Sequence, residues 1–441
     1  MAALTFQRDI DIAAEYDVVV FGGGSAGCMA AIQSGRAGAK TALIEKNGIL
    51  GGTTVVASVN FPGLFHAWGK QVIAGIGWEI VEETARRGGA VLPDFSVPYG
   101  HRHWEHQILV NRFLYSAILD ETCAAAGVDL RFHEMPAALE IADDRVLIAI
   151  AGKTGLSFIR AKQVIDATGD ANIAHLMGYA LESEKHPQPG TLIYELSGYR
   201  WEDVDQERLL RLYEEALAEG ALLRTDHTSA SGTIPFLKEL RAGGGNFMHV
   251  TGIDGADSAS RSKAEVQARQ ALMRIYRFLR RVPGCERLQV GYVANECGIR
   301  ETRRIVGERR ITHKDYVSGQ VWQDAVCYSF YPIDVHRHGD NTTDIRPLSE
   351  GVYPTIPLSA LIPRGSDRLL AAGRCISGDQ EASSAYRVQA SCMATGQAAG
   401  AAAALAAQGD VSVRRIDAAA VRALLERHGA IVPRPAPDPS R

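Results

Sequence analysis

The chain opens its ordered pattern with Asp17-Val18-Val19-Val20-Phe21, an apolar run without alternation. Such a run suits a strand covered on both faces, as in a parallel sheet. It breaks at Gly22-Gly23-Gly24, after which small residues follow at helical spacing, and Ala42-Leu43-Ile44 forms a second apolar strand ending in Glu45. Strand, glycine turn, helix and strand predict a βαβ unit.

Further on, Ile108, Leu109, Phe113, Leu114, Ala117 and Ile118 keep the helical period within His103–Gly127, and Ala126-Gly127 supplies a stop. Val128–Phe132 reads as a strand. Ala138–Ile141, Arg145–Ile150 and Leu156–Ile159, parted by Asp143-Asp144 and Gly152–Gly155, predict a three-stranded meander. Lys162–Asp166 is a strand running into Ala167-Thr168-Gly169-Asp170. From about residue 181 to 340 the texture changes. Trp201–Gly220 reads as an amphipathic surface helix, and Ser262-x-x-Glu265 as a capping box that opens another. Ser229–Asp257, rich in glycine, predicts loops close to a ligand. Arg368–Gly373 returns to a buried strand and Tyr386–Gln408 to a long helix of alanine and glycine. Pro433–Arg441 is expected to be a mobile tail.

The glycines carry chemistry because of where they fall. Gly22 allows a tight turn, Gly24 lets backbone approach a pyrophosphate at the helix N-terminus, Gly27 lets helix pack on strand, and Glu45 can bond a ribose diol. Dinucleotide binding follows. In the last helix Cys392, Gly396 and Gly400 lie four apart, leaving one face almost bare for a sheet or cofactor. Its start near Arg387-Val388-Gln389 offers free N–H groups and a positive dipole end.

Composition narrows the setting. With 441 residues the chain suits two to three domains, and a net charge of −4 gives no reason to expect a nucleic acid or membrane-surface partner. No segment is apolar enough to span a membrane, and Arg8, Asp9, Asp11 and Glu15 sit where a signal peptide would be apolar. A cytoplasmic protein is expected. The seven cysteines are odd in number and none are in Cys-x-x-Cys spacing, so reduced buried thiols are expected rather than disulfides, zinc or a redox dithiol.

Taken together, these segments resemble the FAD-dependent oxidoreductase family of the glutathione-reductase-2 class, which also holds the succinate dehydrogenase and fumarate reductase flavoproteins. The resemblance rests on Gly22–Gly27 with Glu45, on Gly48-Ile-Leu-Gly51-Gly52-Thr53-Thr54, and on Ala167–Asp170. It extends to Gly298-Ile-Arg-Glu-Thr-Arg-Arg-Ile-Val-Gly307, to Ala371–Asp379, and to Arg387-Val388 with Cys392–Gly400. It implies an α/β fold: a Rossmann-like FAD-binding domain, parallel sheet plus β-meander, with an inserted α+β substrate domain. The implied boundaries are 15–60, 103–180 and 341–430 for the first, 61–102 and 181–340 for the second, and 431–441 for the tail.

The resemblance implies cofactor contacts from Gly22, Gly24, Ser25, Ala26 and Gly27, from Glu45 and Lys46, and from Gly51, Gly52 and Thr53. It implies the same for Thr168, Gly169, Asp170 and Gly373. Ala137, beside Pro136, should meet the adenine, Asp379 the ribityl or pyrophosphate, and Arg387, Val388 and Gln389 the flavin pyrimidine edge. Asn47-Gly48-Ile49-Leu50 stands where covalent flavoproteins of the succinate dehydrogenase type carry a histidine, so FAD is expected to be non-covalent. Gly243-Gly244-Gly245 has no strand leading into it, so a built-in NAD(P)H domain is not expected.

Flavin chemistry with a small polar substrate, hydroxylated or carboxylated, needs a clamp and a proton acceptor. Arg300, with Glu301, Arg303 and Arg304 around it, offers a bidentate guanidinium. A structural Arg–Glu network is the alternative. His336, paired with His338, is the candidate base, and Tyr386 beside Arg387 a candidate for the flavin face. His101, His103 and His106 lack a completing carboxylate, so no metal is expected. Two other functions compete with a self-sufficient enzyme: an electron-transferring subunit needing a protein partner, and a non-redox protein that retains FAD. Substrate, reaction direction, electron acceptor and homo-oligomer formation are left open by the sequence.

Overall fold

The protein is described here from a computed structural model, which covers residues 11–97, 102–227, 234–337 and 342–435. His101, His338 and the tail beyond residue 435 fall outside it. The chain begins with β1 (Ile12–Phe21), α1 (Ser25–Arg36) and β2 (Thr41–Glu45), continues with α2 (Arg112–Ala125) and β3 (Asp129–Phe132), and then makes β4 (Met135–Ala142), β5 (Arg145–Gly152) and β6 (Gly155–Asp166). The inserted middle supplies β7 (Tyr194–Ser197), α3 (Gln206–Ala218), α4 (Ser258–Leu279), β8 (Gln289–Val293), β9 (Arg303–Ile305) and β10 (Ile333–His336). The chain returns through β11 (Leu369–Ala371), α5 (Gln380–Tyr386) and α6 (Gln389–Gly409).

One seven-stranded sheet runs β3-β2-β1-β6-β5-β4, with β11 also paired to β6. The meander's third strand and the strand ending at Asp166 are a single twelve-residue element, β6. Its first part pairs antiparallel with β5 and its last part, Val164–Asp166, parallel with β11, while β1 runs parallel along its other edge. The central strands β1 and β2 are buried along their apolar runs, as two-sided cover requires.

Helix α6 lies on α1 at glycine distance. A Cβ on Gly396 would sit 2.0 Å from the Ala26 carbonyl oxygen, and one on Gly400 2.3 Å from that of Ala30. The bare helix face expected from the sequence is therefore used against another helix. The long helix expected from Tyr386 is broken: α5 ends at Tyr386, Val388 is extended, and α6 starts at Gln389.

Other boundaries move for similar local reasons. Asp205 caps α3, and Asp257 caps α4 by accepting from Ser260 N at 2.6 Å. Ser262 is thus inside α4, and Glu265 accepts from Cys297 N rather than closing a capping box. Two buried apolar clusters form. One gathers the sheet, α1, α2 and α6 together with residues 64–81 and 305–376; the other is confined to residues 192–299. The buried apolar residues of 64–81 and 305–333, segments expected in the inserted domain, belong to the cluster that holds the sheet. All seven cysteines are buried and unpaired.

Candidate functional site

A cavity of about 1160 Å³ runs between the sheet's helix-forming edge and the inserted domain. That exceeds the ~300–1,000 Å³ of ordinary small-molecule pockets. At one side lies the glycine turn after β1. Gly22 has φ +98°, and a Cβ on Gly27 would strike Gly22 backbone, so α1 starts directly against the turn. Gly24 is different: its φ of −84° suits any residue, and the nearest heavy atom to an added Cβ is 3.9 Å away. Only the cavity needs that space. The start of α1 has no side-chain cap, so its free N–H groups and positive dipole end are available to an anion. The start of α6, also uncapped, borders the same cavity at Val388 and Gln389.

Glu45, at the end of β2, is buried and lines the cavity. Its carboxylate accepts from Gly23 N at 2.6 Å and Asn47 N at 2.8 Å. Burial pushes its pKa up despite these bonds. Each oxygen retains a further lone pair for a ligand hydroxyl. Lys46 reaches across to the inserted domain and pairs with Glu296 at 2.7 Å.

Of the residues expected to hold the cofactor, Gly22, Gly24, Ser25, Ala26, Glu45, Lys46, Gly52, Thr53, Thr168, Gly169, Asp170, Gly373, Arg387, Val388 and Gln389 line this one cavity. Gly27 and Gly51 stand behind it as packing and turn residues. Ala137 is not in the wall, because an irregularity in the β4–β5 pairing at that point presents Met135 and Pro136 instead. Asp379 is displaced from its expected role. It caps α5 through Ala382 N and accepts from His313 N, away from the cavity. Tyr386 is likewise corrected: fully buried, it donates to Ile376 O at 3.2 Å and touches no cavity surface.

The Arg-rich segment comes apart because alternate residues of β9 face opposite ways. Arg303 turns to Asp170 O and Asn172, while Arg304 is buried against Gly378 O and Glu184. Glu301 accepts from Gln188 and Gln380. Arg300 and Arg303 both line the cavity, and Arg300 donates to Pro189 O at 2.7 Å and Asn246 Oδ1 at 3.3 Å. Among the described residues no carboxylate lies within ion-pair distance of it. Burial, and then Arg387, pulls its pKa down to about 9.

His336, on β10, also faces this end. Its Nδ1 is 3.1 Å from His249 Nε2 and its Nε2 3.5 Å from Asp334 Oδ1. Burial, followed by Arg300, holds its pKa near 4. Burial opposes charge on Asp334 too, but His336 and the two guanidiniums keep its pKa down at about 2. Sequence reasoning missed Asn246, His249 and Gln188, which come from separate strands and loops with no shared motif. Asp334, two residues before His336, was not singled out from the sequence. Among the described residues no group of three or more His, Cys, Asp or Glu could hold a metal, and no helix is long and apolar enough to cross a membrane.

The family model for FAD dependent oxidoreductases matches residues 17–425. The chain belongs to the FAD-dependent oxidoreductase family. It is an oxidoreductase enzyme whose cofactor is FAD, and the uncapped helix starts, the Glu45 carboxylate and the open space at Gly24 fit that group. A dihydrolipoyl dehydrogenase from Trypanosoma brucei brucei is 48% identical over 63 residues, which is 14% of this chain and 13% of that enzyme. Among solved structures, the p-nitrophenol 4-monooxygenase of Pseudomonas putida DLL-E4 is similar at 12% identity, covering 97% of this chain and 91% of that one, with a TM-score of 0.47. A geranylgeranyl bacteriochlorophyll reductase-like protein of Thermoplasma acidophilum is similar at 13% identity, over 94% and 82% of the two chains, with a TM-score of 0.43.

Proposed function

We propose that this oxidoreductase acts on a small polar substrate carrying a carboxylate, held at the Arg300 end of the cavity. The observation that supports it is the buried Arg300 guanidinium, which faces the cavity and, among the described residues, donates to the neutral acceptors Pro189 O and Asn246 Oδ1. The wall there holds two guanidiniums, Arg300 and Arg387, against one carboxylate, Asp334, with His336 neutral at pH 7. An uncompensated buried cation is costly, so the site favours an anion of one charge. A carboxylate matches the planar fork in shape as well. The ordered motifs from Gly22–Gly27 to Cys392–Gly400 also support placing the chain in the glutathione-reductase-2 class.

In this reading Gly22–Ala26, Glu45, Gly52 and Thr53 hold the adenosine diphosphate portion of FAD, and Arg387–Gln389 meet the flavin edge. Bound FAD supplies a two-electron redox couple. Arg300 orients the substrate. His336 is unprotonated at neutral pH, so it can take up a proton released by the substrate, and Asp334 then stabilises the imidazolium.

Anaerobic titration of the purified holoprotein with a panel of small carboxylates and uncharged polyols tests the substrate class. Bleaching of the flavin absorbance by a carboxylate, lost in Arg300→Lys with FAD still bound, is the expected result. Bleaching by polyols alone, equal in both proteins, would overturn it.

A further inference from the structure

Another arginine, Arg374, mostly covered, faces the cavity in a different electrostatic setting. Arg374 follows β11 and donates through Nη2 to Asp170 Oδ1 at 2.5 Å. Thr302 Oγ1 donates to the same oxygen at 2.9 Å. Arg374 Nε is buried with no protein acceptor, and Asp170 Oδ2 has no protein donor among the described residues. The pair therefore presents one unused donor edge and one unused acceptor, and its net charge is zero.

Its position is fixed by close contacts. A Cβ on Gly169 would meet Arg374 Cζ at 2.8 Å. One on Gly373 would lie 3.1 Å from Ala26 Cβ, at the start of α1, and 3.7 Å from Cys392 Sγ, in the first turn of α6. The pair thus sits between the two uncapped helix starts. The pyrophosphate, a dianion, suits the start of α1, and the electron-rich edge of the flavin suits the start of α6. What joins these two parts of FAD is the ribityl chain, which is uncharged and bears a row of hydroxyls.

We infer that Arg374 and Asp170 seat the ribityl hydroxyls of FAD, Arg374 as donor and Asp170 as acceptor. Charge matching decides between ligand parts. A neutral ion pair offers a phosphate as much repulsion as attraction, whereas a hydroxyl both donates and accepts and uses both partners. The inference rests on FAD as cofactor and is independent of the substrate reading, since the experiment contains no substrate.

The full-length protein, stripped of flavin, is titrated with FAD, with ADP, and with FAD analogues lacking one ribityl hydroxyl at a time, following flavin fluorescence and, for ADP, calorimetry. Wild type should bind at least one deoxy analogue about ten- to hundredfold more weakly than FAD. Arg374→Gln and Asp170→Asn should bind FAD weaker by a similar factor, bind that analogue no worse than FAD, and keep wild-type affinity for ADP. Loss of ADP affinity in either variant would move the pair to the pyrophosphate and overturn the inference. Variants that discriminate against the analogue as wild type does would make the pair purely structural. Should Arg374→Gln fail to fold, the wild-type series still decides, because indifference to every ribityl hydroxyl refutes the assignment.

Discussion

A Cβ added to Gly27 would lie 1.7 Å from the carbonyl oxygen of Gly22, well inside any contact that relaxation of a side chain could relieve. Gly24, three residues earlier, has open space in the same direction of the cavity. Substituting the two should therefore separate folding from cofactor binding. Gly27→Ala should destabilise the apoprotein by about 3 kcal/mol or more, since backbone must move. Gly24→Ala should leave apoprotein stability within about 0.5 kcal/mol and weaken FAD by at least about tenfold. Urea unfolding of both apoproteins and a flavin titration of Gly24→Ala check this; full FAD affinity in Gly24→Ala would remove the phosphate from that turn.

Arg300 carries a second expectation. Burial and Arg387 lower its pKa, but a guanidinium keeps its charge across the working pH range, so affinity for a carboxylate should be flat from pH 7 to 8.5. Arg300→Lys should cost about ten- to hundredfold in kcat/KM at pH 7.5, because an ammonium lacks the planar fork. Unchanged kcat/KM in Arg300→Lys would show that Arg300 does not hold the anion.

His336 links the site to acid stability. Its folded pKa near 4 lies below the usual value of 6.5, so the unfolded chain binds its proton more readily between those pH values. Its contribution is present above pH 6.5 and lost as pH falls toward 4, by about 3 kcal/mol at most. His336→Gln should flatten the loss of apoprotein stability between pH 6.5 and 4.5, read from urea midpoints. Flavin reduction should then show no neutral limb from this residue, its acid limb lying near pH 4 instead. Parallel pH–stability curves for variant and wild type would contradict the buried, neutral imidazole.

FAD should leave the protein when it is precipitated with acid, colouring the supernatant yellow. The segment Asn47–Leu50 offers no histidine for attachment. Yellow precipitate with a clear supernatant would show a covalent link formed elsewhere.

The glycine turn, the Glu45 strand end and the uncapped start of α6 were legible because each is written in consecutive residues and depends on local backbone geometry. Arg300 could be named from the sequence but not separated from Arg303 and Arg304, since their fates depend on which way a three-residue strand faces. Asp379 and Tyr386 were misplaced because an acid eight residues past a buried strand looks equally like a ligand contact and a helix cap. Here the cap won, with Ala382 N at 2.8 Å. The merging of two expected strands into β6 was hidden by Arg160-Ala161-Lys162, whose polar ends look like a break although pairing continues through them. Asn246 and His249 reach the site only through tertiary folding, which leaves no periodic trace.

The pairing of β11 with β6 and the seating of α6 on α1 have a consequence for synthesis. The surface of α1 that receives Gly396 and Gly400 is made long before its cover: Ser34 donates to Gly400 O, 366 positions away. A nascent chain must hold that alanine-lined surface open while the whole inserted middle is translated, a stretch whose own apolar cluster can fold meanwhile. Capture of FAD is then expected only once α6 has been made, and a nascent protein stalled before β11 should remain colourless in the presence of the flavin.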